Sequence, residues 1–577
     1  MSSFSLEDKE DISIVLCGAA GQGIQTVEQF LTHVLQEDGY NVAATKEYMS
    51  RVRGGTNSTE IRISSNRVSA FVDRIDIFIA LNKTAIARQR KRITKDTIII
   101  SESELIKDEI DISKHKVIEI PWTDMAQEIG SKVYSNTIAA GLIAELFQLD
   151  KEIGKKYLRN RFASKGEEII QKNFEAFNKG CEIADTLIKE KGLKIAIKKA
   201  SKKDKELLYN GASAVGMGAI AGGCNFICSY PMSPSTGVLV FLAKHAHDFD
   251  ILVEQAEDEI AAINAGLGAA YAGARAMVTT SGGGFALMGE GLSLSGITET
   301  PIVIHVAQRP GPGTGLPTRT EQGDLELVLY SGHGDFPRII LAPGSLQDAF
   351  YITQKAFNLA DKFQVPVIIL TDQYFMDLYY NIPPLHISKI SIEKHITKTE
   401  KGYKRYKYTE NGISPRGIPG YGEGLVRADS DEHTEDGFIT EDLDVTRVKM
   451  VEKRLKKFEE VKKSVIPPDL LGTDKYKTLI IGWGSTFTAI KEALDIIDYK
   501  EISFLHFKQV YPLHQKTKEL LEKAERVIII ENNVTSQFGK LIKLYTGFEI
   551  ENKILKFNGM PFSVEELVEK IKKIVEV

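Results

Sequence analysis

Three consecutive acids, Glu257, Asp258 and Glu259, open the stretch EDEIAAINAGLGAAYAGARAMVTTSGGGFALM. One acid at a helix start is explained by capping, because the exposed N–H groups and the helix dipole favour a carboxylate there. Three exceed that need. From Ile260 to Gly273 the residues are almost all Ala, Gly and small apolar groups, so the helix must pack with its backbone close to its neighbours. An acid desolvated against such a face takes a raised pKa and is suited to sharing a proton with a bound heterocycle. A second stretch, CSYPMSPSTG, holds the hydroxyl of Ser233 between Pro231 and Pro234. Each proline fixes its own φ and biases the residue before it toward extended geometry, which gives a rigid turn at a strand end. Two arginines in Gly/Pro-rich loops, Arg309 in HVAQRPG and Arg319 in LPTRTEQ, offer the planar two-pronged donor that pairs with a carboxylate. Such arginines are also ordinary surface residues.

A glycine cluster near the N-terminus, IVLCGAAGQGIQT, runs from a strand through Gly18, Gly21 and Gly23 into a helix. That turn is compatible with a structural strand-to-helix junction, a phosphate-bearing ligand or NAD. Its G-x-x-G-x-G spacing is loose, and the next strand leads to Thr45-Lys46-Glu47 instead of a clean ribose-binding acid. The loop SRVRGGTNS, with Arg51, Arg53 and Gly54, lies beside it if strand ends gather on one sheet edge.

The elements that would position these residues alternate between short β-branched runs and longer amphipathic stretches, from residue 12 to 375 and again from 477 onward. That rhythm predicts parallel sheets flanked by helices. Two breaks divide it: KEKGLKIAIKKASKKDKE, lysine-rich like an exposed linker, and an aperiodic stretch ending in the basic helix-like run VEKRLKKFEEV. Length sets a soft prior of about three or four domains. A net charge of -5 supplies no basic field for nucleic acid. No apolar stretch reaches the ~20 residues of a membrane helix, and MSSFSLEDKE carries acids where a secretory leader would be basic. A cytoplasmic protein is expected. The four cysteines, Cys17, Cys181, Cys224 and Cys228, form no C-x-x-C pair. They read as small buried hydrophobes in a reducing compartment, with no iron–sulfur cluster and no metal on this chain.

YPMSPST resembles the YPITPS loop of 2-oxoacid:ferredoxin oxidoreductases, and the segment from Glu257 to Met288 resembles the one that follows it in their α subunits. HVAQRPGPGTGLPTRTEQGDL, SPRGIPG and DSDEHTEDG are similar to the 2-oxoglutarate-type α chain, while GAAGQGIQ and EYMSRVRGG are similar to the family's γ domain, fused in front. The resemblance covers nearly the whole chain. It implies three α/β domains with mostly parallel sheets: a γ domain at 1–190, a linker at 191–207, a pyrimidine-type thiamine diphosphate-binding domain at 208–383, an irregular connector at 384–465 and a transketolase C-terminal-like domain at 466–577.

The resemblance also implies roles. Glu259 hydrogen-bonds the aminopyrimidine N1′ of thiamine diphosphate and favours its imino tautomer, with Tyr230 and Pro231 beside the cofactor. Ser233 donates to the 2-oxoacid carboxylate, with Arg319 first, Arg309 second, and Thr318 alongside. CoA is expected against Gly21, Gly23, Arg51, Arg53 and Gly54. Ser233 stands for the family's Thr, Met232 for Ile, and TSGGG for the more usual TSGPG, which loosens the turn at Gly283. Neither Gly323-Asp324-Leu325 nor Gly334-Asp335-Phe336 begins the GDG…Asn motif that holds Mg²⁺ and diphosphate. Both, and a [4Fe-4S] cluster, are therefore expected on a β subunit, in a dimer of αβ heterodimers that reduces ferredoxin. GWGST and IIIENNVTSQFG read as strand-end turns, with a helix cap at Ser485 or Thr486. The implied reaction is CoA-dependent oxidative decarboxylation of 2-oxoglutarate, with pyruvate or a branched-chain 2-oxoacid as alternatives. An NAD-dependent dehydrogenase and a non-catalytic structural partner subunit are the readings from other classes.

Overall fold

The structure, a computed structural model, describes residues 4–6, 9–19, 23–49, 55–193, 195–200 and 206–576. It divides into two compact units: Met1–Tyr209 with Leu378–Pro384 and Ser563–Glu565, and Asn210–Asp377 with Leu385–Phe562 and Glu566–Val577.

The first unit is built on strands β1 (Asp11–Ala19), β2 (Asn41–Glu47), β3 (Thr56–Ser64), β4 (Ile77–Ala80), β5 (Ile98–Ser101), β6 (Lys116–Glu119), β7 (Leu207–Asn210) and, from later in the chain, β14 (Tyr379–Ile382). They form one sheet in the order β6-β5-β4-β1-β3-β2-β14-β7. The half from β1 to β6 is parallel, but β3 pairs antiparallel with both β1 and β2. This antiparallel part lies within the expectation of mostly parallel sheets and has a simple reason. The stretch 48–55 is too short for the dozen or more residues a parallel crossover needs, so the chain turns back on itself. The lysine-rich stretch after residue 190 departs from a fully exposed linker, since Leu193 and Ile197 are buried in this unit's core.

The second unit holds two sheets. Strands β8 (Phe226–Ser229), β9 (Leu252–Gln255), β10 (Ala276–Thr280), β11 (Ile302–Gln308), β12 (Ile339–Leu341), β13 (Pro366–Asp372) and β18 (Gln509–Tyr511) lie in the order β18-β12-β13-β11-β10-β8-β9. Neighbouring strands pair parallel except β12 with β18. Every residue of β11 and β13 is buried, as the near-continuous apolar runs IVIHVAQ and PVIILTD require of strands covered on both faces. The other sheet, β15-β17-β16-β19-β20, uses β15 (Asp469–Leu471), β16 (Thr478–Trp483), β17 (Ile502–Phe507), β19 (Arg526–Glu531) and β20 (Asn552–Leu555), with only β15 antiparallel. One hydrophobic cluster joins the two, running from Val278, Ile304 and Ile368 to Trp483, Leu505 and Phe538.

The connector at 384–465 is tied to this core by buried charge. Its helix Val448–Lys463 places the Lys453 ammonium 2.5 Å from a Glu299 carboxylate oxygen, and Lys457 donates to the other oxygen. Burial pushes the Glu299 carboxyl up, but the two lysines and Arg405 outweigh it and hold the group far below the usual carboxylate range. Arg416, in SPRGIPG, donates to Asp361 at 2.9 Å and to the carbonyl of Ala270 at 2.7 Å, while Arg275 takes the other Asp361 oxygen at 2.6 Å. The basic helix-like run thus points three cations, Lys453, Arg454 and Lys457, into the protein. Removing one partner of a buried pair strands the rest. Glu299→Gln should therefore lower stability by about 3–5 kcal/mol, read as a depressed melting temperature, and a change below about 1 kcal/mol would show that the lysines find other partners.

Candidate active site

In an open parallel sheet, ligands bind outside the carboxyl ends of the strands. That edge of the central sheet carries four of the motifs singled out in the sequence: the Pro/Ser loop after β8, the three acids after β9, the glycines after β10 and the arginine loop after β11.

The acids divide their duties. Asp258 is the N-cap of helix Glu259–Tyr271, its extended backbone allowing Oδ1 to accept the Ala261 N–H at 2.7 Å. Glu259 is the first helical residue and is only 3% exposed. Its Oε1 is buried and has no hydrogen-bond partner among the described residues. Burial raises its pKa and so does the charge of Asp258, while its own backbone N–H and Arg309 oppose the rise. The carboxyl is dry, close to an arginine and unsatisfied.

The glycines after β10 explain how it stays so. Gly282–Leu287 is a short helix, so the three glycines form its first turn instead of a loose loop. A methyl group on Gly284 would sit 2.5 Å from Glu259 Oε1 and collide with the Thr280 hydroxyl, and one on Gly282 would collide with the Asp324 carboxylate. At Gly283 the nearest neighbour is the Gly313 carbonyl, 3.7 Å away. Two glycines are therefore required by close approach, and the middle one is free to vary.

Gln308 and Arg309, at and just after the end of β11, draw the loops together. Gln308 is fully buried; its Nε2 donates to the Thr371 carbonyl at 3.0 Å and its Oε1 accepts the Asp324 N–H at 3.0 Å. Arg309 donates from Nη1 to the Ser233 carbonyl at 2.6 Å. Ser233 and Tyr230 are exposed, Pro231 half-buried, and the Ser281 hydroxyl lies 2.6 Å from the Met232 sulfur. Arg319 sits elsewhere, with Nη1 3.7 Å from the Met560 sulfur, and Thr318 beside it is half-buried. The structure thus joins Arg309, and not Arg319, to the Ser233 loop. Thr320 anchors the Arg319 segment by donating to Asp372 Oδ1 at 3.0 Å.

Ser485 also binds Asp372, through Oδ2, and makes no capping bond to its own helix Thr486–Ile497. Its position at the helix start suggested a cap, in which its oxygen would accept a backbone N–H; instead its hydroxyl is turned to donate to a buried carboxylate at the end of β13. Nearby, Glu531 of IIIENNVTSQFG accepts from Trp483, Asn533, Ser536 and the backbone N–H groups of Phe538 and Gly539.

In the first unit, Gly23 has a left-handed backbone, φ 83°, at the start of helix Ile24–Glu37, and makes no side-chain capping bond. A methyl group there would lie 3.3 Å from the Asn136 amide nitrogen. Gly21, Arg51, Arg53 and Gly54 lie outside the described residues. All four cysteines are buried thiols, and burial pushes Cys17, Cys181 and Cys224 up to about 12.

Sequence reasoning missed Gln308 and Asp324. Both stand inside quoted motifs, next to Arg309 and in TEQGDL, and a polar residue at the last position of a buried strand was the available signal for Gln308.

Two family models match the chain. Residues 217–453 match the pyruvate flavodoxin/ferredoxin oxidoreductase thiamine diphosphate-binding family, and residues 13–183 the pyruvate ferredoxin/flavodoxin oxidoreductase family. The 2-oxoacid:ferredoxin oxidoreductase subunit alpha of a Sulfolobus species is 32% identical over 98% of this chain and 97% of its own length. The 2-oxoglutarate synthase subunit KorA of Archaeoglobus fulgidus is 33% identical over 58% of this chain and 89% of its own. Among solved structures, 2-oxoglutarate:ferredoxin oxidoreductase from Magnetococcus marinus, with 2-oxoglutarate, coenzyme A and succinyl-CoA bound, superposes with a TM-score of 0.91, 31% identity and coverage of 98% and 100%. The chain belongs to the 2-oxoacid:ferredoxin oxidoreductase family, as an α-type subunit of an oxidoreductase that acts on 2-oxoacids.

Proposed function

We propose that this chain is the fused γ-α subunit of a 2-oxoglutarate:ferredoxin oxidoreductase, which converts 2-oxoglutarate and CoA to succinyl-CoA and CO₂ and passes two electrons to ferredoxin. The observation that carries the reading is the buried, unpartnered Oε1 of Glu259 beside Gly284. An isolated carboxyl is costly to bury unless something completes it, and the acceptor it needs is a ring nitrogen able to share a proton. Thiamine diphosphate has such a nitrogen in its aminopyrimidine, and when bound it supplies the electron sink for decarboxylation. The residues present fit it.

Glu259 holds or releases a proton at Oε1, favoured in the protonated form by its raised pKa. Gly284 carries no side chain that would displace that oxygen, and Tyr230 and Pro231 are assigned to the cofactor. Ser233 and Arg309 take the 2-oxoacid carboxylate, with the arginine's contact to the Ser233 carbonyl fixing the two donors relative to each other. Thr318 and Arg319 belong to the same loop and are assigned to the distal carboxylate or to its approach. The first unit is assigned to CoA, through Gly21, Gly23, Arg51, Arg53 and Gly54. A β subunit supplies Mg²⁺, the diphosphate site and a [4Fe-4S] cluster, in a dimer of αβ heterodimers in the reducing cytoplasm. The choice of 2-oxoglutarate is supported by the bound ligands of the Magnetococcus structure and by the KorA relatives.

Glu259→Gln tests the central assignment. Asp258 provides the cap, so the amide removes only a desolvated acid, and stability at neutral pH should equal or slightly exceed that of the wild type. Decarboxylation by the reconstituted αβ complex should fall by about 10²- to 10⁴-fold, the usual worth of proton-transfer assistance. A variant that melts normally and turns over at the wild-type rate would remove Glu259 from the chemistry. The substrate assignment is checked separately: kcat/KM for 2-oxoglutarate with ferredoxin should exceed that for pyruvate and branched-chain 2-oxoacids by about tenfold or more, about 1.4 kcal/mol. The reverse order would reassign the substrate and leave the family intact.

A further inference from the structure

Two motifs of the C-terminal sheet, GWGST at the end of β16 and ENN at the end of β19, meet on Gln322 of the TEQGDL loop. Gln322 is fully buried. Its Nε2 donates to the Trp483 carbonyl at 2.8 Å, and its Oε1 accepts the Asn532 N–H at 2.9 Å. Its main chain is held as well: the Gln322 N–H donates to the Asn532 carbonyl at 2.7 Å, and Asn533 Nδ2 donates to the Gln322 carbonyl at 3.1 Å. Glu531 closes the ring, accepting from Asn533 at 2.8 Å and from the Trp483 indole at 3.3 Å. Gly484 has a left-handed backbone, φ 57°, and a methyl group there would lie 2.9 Å from Gln322 Nε2, so GWGST leaves room for this side chain. Gln537 then donates to the Gly323 carbonyl at 2.8 Å.

Apolar packing already joins the two sheets, and it is not directional. The ring of bonds adds register, because a buried polar network is favourable only in the arrangement that satisfies every member. That register reaches the glycine turn through Asp324, two residues beyond Gln322. The Asp324 N–H donates to Gln308 Oε1 at 3.0 Å, and its carboxylate packs where a Gly282 side chain would be. The Glu259 carboxyl packs at Gly284, in the same short helix.

We propose that Gln322 and Asn533 are positioning residues, through which the C-terminal sheet fixes the TEQGDL loop behind the glycine turn and so holds that turn against Glu259. The proposal rests on the assignment of Glu259 to the chemistry. With the ring broken, the loop keeps its bonds from Thr320 to Asp372 and from Asp324 to Gln308, but loses the contacts that set its distance from the turn.

The test compares Gln322→Ala and Asn533→Ala with Lys540→Ala, which breaks an exposed ion pair to Glu326 between the same two segments, 3.0 Å long. The first readout is amide hydrogen exchange over 281–288 in the full chain, where the Phe285 N–H donates to the Ser281 carbonyl and the Met288 N–H to the Phe285 carbonyl. Both ring variants should speed that exchange by about tenfold. In the αβ complex they should lower kcat by about tenfold or more, as a misplaced reacting group does, while KM for CoA stays at its wild-type value. Lys540→Ala should change neither. Asn533→Ala keeps the proposal testable if Gln322→Ala folds poorly. Wild-type exchange or wild-type kcat in Asn533→Ala overturns the proposal, and so does an equal loss in Lys540→Ala, which would make the effect a general one of sheet–sheet contact. Glu259→Gln separates the two levels. If it lowers kcat while the ring variants exchange and turn over as the wild type does, only the roles of Gln322 and Asn533 fail; if it turns over at the wild-type rate, the assignment of Glu259 fails and this proposal with it.

Discussion

A carboxyl buried with one oxygen unpartnered is the constraint around which the strand-end edge of the central sheet is arranged. Leaving such a group unsatisfied costs free energy that the rest of the fold must supply. Here the cost is visible in Glu259, held at the start of a helix whose Ala/Gly face lets it approach the sheet. The cap next to it is a separate residue, Asp258, so the helix does not need Glu259 for its own stability. The two glycines where a side chain would collide let the Glu259 and Asp324 carboxyls pack against the helical turn. Gln308 and Arg309 then tie the Ser233 loop and the TEQGDL loop to one strand end. The unpartnered oxygen of Glu259 is thus held by rigid elements.

The same unit spends buried charge elsewhere for shape. Asp361 between Arg275 and Arg416, and Glu299 between Lys453 and Lys457, pin a connector that has little regular structure of its own. Without periodic hydrogen bonding, such a segment loses much conformational entropy on ordering, and a few strong, directional contacts are an economical way to hold it. Asp372 does comparable work at the end of β13, where Thr320 and Ser485 meet on one carboxylate.

Much of this was legible in the residues. The alternating runs gave the α/β class and the parallel central sheet, and the string of acids before the small-residue helix marked the buried carboxyl at its start. The hairpin β2–β3 was not legible as a rhythm, because a turn shorter than a crossover reverses strand direction without changing strand composition. The inward lysines of VEKRLKKFEEV were hidden because their partner, Glu299, lies far away in sequence. Which arginine reaches Ser233 could not be read either: Arg309 and Arg319 share one loop, and only the fold puts Arg319 against Met560. Asp324 was set aside in the sequence for failing to begin a diphosphate motif, and its burial beside Gly282 comes from the approach of two loops.

The proposed chemistry requires the Glu259 carboxyl to hold its position, and two neighbouring glycines measure that requirement directly. Gly283→Ala adds a methyl where the nearest atom is 3.7 Å away, and Gly284→Ala adds the same methyl 2.5 Å from Glu259 Oε1. Thiamine diphosphate-dependent decarboxylation by the αβ complex should stay near the wild-type rate in the first. It should fall by about tenfold or more in the second, where the carboxyl is forced off position. Equal activity in the two variants would mean that the position of this carboxyl does not matter to the chemistry.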